Sequence, residues 1–260
     1  MSSKITDQKV NIVNSNWNDV KQMTTFQIAV LPWGACEPHG EHLSYCTDTL
    51  LASIISYDSV MKTKDHEKFM ILPCVSFGSQ NPGQTNKCFC IHMSIETQKM
   101  LLKDIVKSLE KQGVNHLVIV NGHNGNNFKT IVRDLEFEFE GFKIYVCNYL
   151  DIANHEWIVN NVYENAPKVD DHAGFTETSL MLHYFGDLYV DKDALQPIDE
   201  IEIYKETSKV LWTPRDWDIY SHNTRIGYAG DATEKYGEIL AEHITDELSK
   251  ELDKITEFKI

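Results

Sequence analysis

The chain has 260 residues, enough for one large α/β domain or two small ones, with a sizeable buried core. Its 39 acidic against 24 basic residues give a formal charge of −15, which argues against nucleic-acid phosphates or an anionic membrane surface as main partners. The first residues lack the apolar core of a signal peptide and no later run approaches transmembrane length, so the expected location is cytoplasmic, with the six cysteines as reduced thiols.

The first strand is expected at Gln27 to Leu31, an apolar run. Directly behind it, Glu37, His39, Glu41, His42 and Asp48 place five potential metal ligands within twelve residues. Packed carboxylates repel one another and resist desolvation, and a divalent cation is the simplest compensation. Glu37 and His39 lie two apart, so in an extended segment both point to one side. Asp48 opens a helix expected to run to Met61, with Thr47 as its N-cap, and a carboxylate there could bridge two cations. A short strand is expected from Phe69 to Val75. A helix then runs from Ser94 to Gln112, where Leu101, Leu102, Ile105, Val106 and Leu109 form one apolar face and Gly113 ends it.

The β-branched run His116 to Val120 reads as a strand leading into Asn121-Gly-His-Asn-Gly-Asn126, a glycine-rich turn that puts His123 at the strand's C-terminal edge. That turn has neither the spacing nor the lysine of a P-loop. A helix from Asn126 to Phe139 and a strand from Lys143 to Cys147 complete a βαβ series, which predicts an α/β sandwich: a single domain over residues 1–260 with a mainly parallel central sheet flanked by helices. Further on, Asp170-Asp171-His172 precedes a helix from Glu177 to Phe185. Asp171 beside His172 forms an acid/base pair, and Glu177 is either a further ligand or an acid favoured by the helix dipole. Residues 188–225 read as a long excursion that covers the site, mediates assembly or forms a plain surface loop, before a last helix from Glu234 to Asp253.

Three stretches together carry a resemblance to the creatininase (creatinine amidohydrolase) family: Leu31-Pro-Trp-Gly-Ala-Cys-Glu-Pro-His-Gly-Glu-His-Leu to Thr47-Asp48, Asn121-Gly-His-Asn-Gly-Asn126, and His172-Ala-Gly-Phe-Thr-Glu-Thr-Ser-Leu-Met-Leu182. The resemblance implies a creatininase-like fold, a homo-oligomer such as a hexamer, and one or two divalent ions per chain, zinc, manganese or iron. It matches Glu37 and His39 to ligands of different ions, Asp48 to the bridging carboxylate, His123 to the histidine ligand and His172 to the proton-transferring histidine. His42, Asn121 and Asn126 would orient these ligands. One position departs from the pattern: where creatininases proper carry a glutamate ligand two residues after the histidine, this chain has Gly125. Either Glu177 replaces it or the second ion binds more weakly, and both outcomes count against creatinine as the substrate.

The expected function is hydrolysis of a C–N bond in a small cyclic amide or formamide. A hydroxide on the metal would attack, and His172, held by Asp171, would protonate the leaving nitrogen. An inosose-type lactone or ring hydrolase is the alternative within the same chemistry, and a non-catalytic metal-binding protein the alternative outside it.

Overall fold

Alternate residues of the two central strands enter different hydrophobic cores, and that division organises the molecule. A computed structural model of the chain describes residues 10–21, 26–195, 212–221 and 223–257. A short helix α1 (Trp17–Val20) precedes strand β1 (Ile28–Trp33). Then follow α2 (Thr47–Met61), β2 (Phe69–Ile71), α3 (Ile95–Lys111), β3 (His116–Asn121), α4 (Phe128–Leu135), β4 (Lys143–Asn148) and α5 (His155–Asn161). The strands β2-β1-β3-β4 form one parallel sheet in that order. Every residue of β1 and β3 is buried, as expected of central parallel strands covered on both faces. Ile28, Val30, Val118 and Val120 join the core that contains Leu51 and Ile55 of α2. Ala29, Leu31, Leu117 and Ile119 face the other way, onto Leu102 and Val106 of α3 and Ile131 of α4.

The chain continues through β5 (Asp170–His172), α6 (Phe175–Phe185), α7 (Trp217–Tyr220), β6 (Ile226–Gly227) and the long α8 (Glu234–Glu257). Strands β5 and β6 make a small antiparallel pair, His172 opposite Ile226. Leu180 of α6 and Leu240 and Ile244 of α8 complete the core on the α2 side of the sheet.

Register explains where the site forms. Trp33 at the end of β1 lies opposite Asn121 at the end of β3, so the segments that follow both strands leave the same edge of the sheet side by side. This C-terminal edge is where open α/β sheets place ligands. Two glycines then let the first turn of α2 come down onto it: a Cβ on Gly34 would lie 2.5 Å from the Thr49 nitrogen, and one on Gly122 would lie 2.8 Å from the Asp48 carbonyl oxygen.

The parallel α/β architecture follows the sequence expectation, with local corrections: β2 ends at Ile71 rather than Val75, and α6 begins at Phe175 rather than Glu177. Thr47 is not the N-cap of α2; Cys46 holds that position without a side-chain bond, and the Thr47 hydroxyl donates to the Ser44 carbonyl at 2.7 Å. Helix α4 is shorter than the expected 126–139, because Asn126 and Asn127 remain in the turn and the chain leaves the helix after Leu135. Of the excursion at 188–225, positions 196–211 and 222 lie outside the described residues. All six cysteines are free. Among the described residues no helix is long and apolar enough to cross a membrane.

Candidate metal centre

Three fully or nearly buried carboxylates, Glu37, Asp48 and Glu177, meet three buried imidazoles, His39, His123 and His172, at the sheet's C-terminal edge. The main chain fixes the orientation of all three rings. His39 Nδ1 donates to its neighbour Glu37's carbonyl at 3.0 Å, His123 Nε2 to the Ser79 carbonyl at 2.8 Å, and His172 Nε2 to the Pro38 carbonyl at 2.9 Å. A carbonyl oxygen can only accept, so each neutral ring keeps its single N–H there and presents a bare lone pair from the other nitrogen. Those lone pairs face carboxylate oxygens. His39 Nε2 lies 2.9 Å from Asp48 Oδ1, His123 Nδ1 lies 2.8 Å from Glu37 Oε1 and 3.1 Å from Asp48 Oδ2, and His172 Nδ1 lies 3.8 Å from Glu37 Oε1.

Lone pair against anion is repulsive unless something positive stands between them. Glu37 Oε1 and Asp48 Oδ2 are buried without a hydrogen bond of good geometry, so the donor set fits cations. Its composition, imidazole and carboxylate without thiolate, suits zinc, manganese or iron. The potential ligand atoms fall into overlapping groups: Glu37 with Asp48 and His123, His39 with Asp48 and Glu177, and Glu37 with His39 and His172, each within 4.8 Å. Asp48, Glu37 and His39 each belong to two of these groups.

In the absence of a cation, protons do the same work. Burial drives the His39 imidazole toward neutrality, but Asp48 and then Glu177 and Glu37 reverse this and raise its pKa to about 10. Burial also pulls His123 down, and the Glu37 and Asp48 carboxylates carry it well above the ordinary value. Glu177 moves up to about 8, chiefly through burial, with His39 opposing and Asp48 adding. His172 goes the other way: burial and then the neighbouring His39 depress it, so this ring is neutral near pH 7.

Around the ligands, Asn121 accepts from the His123 backbone N–H at 3.3 Å and donates to the His123 carbonyl at 2.8 Å. Asn126 donates to Asn121 Oδ1 at 3.0 Å and accepts from the Ser79 backbone N–H at 3.0 Å, so both amides shape the turn that carries His123. His42 instead reaches the Thr178 hydroxyl on α6 at 2.9 Å. Glu41 is exposed. One oxygen of Glu177 accepts from the Ala173 backbone N–H at 2.6 Å, so this residue both ties down the start of α6 and enters the ligand group. Ala173 itself sits in the left-handed region at φ 52°, a strained turn between His172 and Glu177.

The expected partnership of Asp171 with His172 is corrected. Asp171 pairs with Arg215 on the far excursion, and the Pro38 carbonyl holds the His172 ring instead. Consecutive side chains on an extended segment point to opposite sides, so adjacency in sequence kept these two apart. Two neighbours were not foreseen. Gln84 donates to Glu37 Oε2, and Trp217 meets His172 edge-on, ring centroids 4.8 Å apart.

At the departing position the backbone leaves no room. A Cβ on Gly125 would lie 2.1 Å from the Ser79 carbonyl oxygen and 2.4 Å from His123 Nε2. The bond that pins His123 occupies the space a side chain would need.

The creatinine amidohydrolase model matches residues 13–252. The chain belongs to the creatininase family. A creatinine amidohydrolase of Pseudomonas putida is 28% identical over 179 residues, 64% of this chain and 67% of that enzyme. A mycofactocin precursor peptide peptidase of Mycolicibacterium smegmatis is 28% identical over 160 residues, but the match spans only 57% of its length. A solved Bacteroides fragilis protein, provisionally assigned as a creatinine amidohydrolase, superposes with a TM-score of 0.88 at 34% identity, covering 98% of this chain and 99% of that one. A manganese form of creatininase, 21% identical, shares the fold at a TM-score of 0.80, covering 95% of this chain and 98% of that one.

Proposed function

We propose that this creatininase-family protein is a metal-dependent amidohydrolase that cleaves a C–N bond in a small cyclic amide or formamide. The observation that carries the proposal is the set of three main-chain-pinned imidazoles aimed at buried carboxylates. Solved creatininases exist in manganese and in zinc–zinc forms, which supports two divalent ions here. Glu37, His123 and Asp48 would hold one ion, and His39, Asp48 and Glu177 the other. Glu177 would take the part of the glutamate that Gly125 excludes. When bound, the ions supply a polarised carbonyl and a water-derived nucleophile near neutral pH.

The chain's own residues supply orientation and proton transfer. His172 keeps its Nε2–H on the Pro38 carbonyl, which leaves Nδ1 facing the site as a neutral base. There it takes a proton and delivers it to the leaving nitrogen. Asp171 acts one step away: with Arg215 it fastens the segment around Trp217 against β5.

Metal analysis of purified protein, followed by hydrolysis assays on creatinine, formamidopyrimidines and keto-inositol compounds, tests the proposal. Two ions per chain with turnover of an amide supports it. Turnover confined to a keto-inositol compound would move the chain to ring or lactone hydrolysis, and metal without turnover of any of these compounds would leave a binding protein. The resemblance also points to a homo-oligomer, which sedimentation of the purified chain would measure.

A further inference from the structure

Trp217 is buried to 4% exposure, and its indole Nε1 has no hydrogen-bond partner among the described residues. Its ring stands at 88° to the His172 ring. The indole N–H does none of the work of holding it there. The Trp217 backbone N–H donates to the Pro82 carbonyl at 2.8 Å, Arg215 pairs with Asp171, and Asp218 takes Asn86 and, at 3.1 Å, Lys87. Trp33 makes the contrast: it is equally buried, but its Nε1–H donates to the Phe77 carbonyl at 2.9 Å.

A buried donor left without an acceptor lowers stability, a cost that a phenyl ring, smaller than the indole, would not carry. A polar atom held in this condition beside a reactive imidazole is explained if its acceptor arrives with the ligand. The indole meets His172, whose Nδ1 faces Glu37 Oε1 of the ligand cluster at 3.8 Å.

We propose that Trp217 is a specificity-determining residue whose Nε1–H donates to a carbonyl or carboxylate oxygen of the bound substrate. The proposal rests on the hydrolase reading above. It selects amides that carry such an oxygen next to the group attacked.

Trp217→Phe in the zinc-loaded protein is the test, with acetohydroxamate as the small oxygen-donor probe, binding read by calorimetry and stability by thermal melting. The expected result is unchanged zinc content, about tenfold weaker acetohydroxamate binding, and a fall in Tm no larger than the few degrees that the smaller ring's cavity costs. Loss of zinc overturns the proposal, because the indole then supports the metal site itself. Unchanged probe affinity overturns it as well. If the unsubstituted protein binds zinc but no acetohydroxamate, the hydrolase reading fails first and the proposal falls with it.

Discussion

Each of the three imidazoles has one nitrogen spent on a main-chain carbonyl and the other turned toward carboxylates, so protons and metal ions compete for the same lone pairs. The competition has a definite sign. His39 and Glu177 hold protons up to about pH 10 and about pH 8 in the metal-free site, so each must lose one when an ion enters. Metal affinity is therefore expected to keep rising above pH 7, where an exposed histidine site with an ordinary pKa near 6.5 would level off. Titrating zinc by calorimetry in buffers of different ionisation enthalpy would count the released protons; a count of zero at pH 7 rules this out. Metal-free stability runs the opposite way. His39 is raised above its unfolded value of 6.5 to about 10, so its contribution is complete below pH 6.5 and lost toward pH 10. Glu177, raised from 4.5 to about 8, loses stability over that lower interval. Thermal melts in a chelator should thus show Tm falling from pH 6.5 to 9.5. Asp48→Ala should abolish both metal binding and activity, and a variant that still holds two ions per chain would defeat the bridging role. Residue types and spacing singled out Glu37, His39, Asp48 and His123 in the sequence, because acids and imidazoles at strand ends are costly to bury alone, whereas Glu177 stayed open between a ligand and a helix-dipole acid until the resemblance made it a candidate. The pinning carbonyls were not legible, since every residue carries the same main-chain oxygen. Nor was Arg215, which reaches Asp171 across 44 positions.

At the scale of elements, the site depends on how closely helix α2 approaches the ends of β1 and β3. Gly34→Ala would put a methyl carbon 2.5 Å from the Thr49 nitrogen and lift the first turn of α2, which carries Asp48, off the sheet edge. We expect about 1–3 kcal/mol of destabilisation by denaturant titration, accompanied by weakened metal binding. Gly125→Ala meets the Ser79 carbonyl and should cost a similar amount while displacing His123. Retention of full metal affinity with normal stability in either variant would show that the backbone yields more easily than its packing implies. The strands and long helices were readable because their apolar periods were regular. The period-2 split of β1 and β3 between two cores, in contrast, looked like one continuous apolar run. The docking of α7 on His172 was unreadable for a different reason: no local pattern in 212–221 names a distant partner.

Over the whole molecule, the centre gathers positions 37, 39, 48, 123 and 177 from the segment after β1, from α2, from the turn after β3 and from α6. Ions bound there act as a staple between elements remote in sequence. Stabilisation follows mass action, about 2.7 kcal/mol at a free metal concentration one hundred times Kd, so chelation should lower Tm measurably and zinc or manganese should restore it. A Tm indifferent to chelator would argue against ions at this site. The three carbonyls that orient the histidines belong to Glu37, Pro38 and Ser79, and no point substitution deletes a carbonyl. The orientation of His172 and His123 is therefore robust to exchange of the Pro38 and Ser79 side chains, and vulnerable to insertions or deletions that reroute the chain. One residue inserted beside Pro38 or Ser79 would thus turn a histidine away from the centre, where exchange of either side chain would leave it in place.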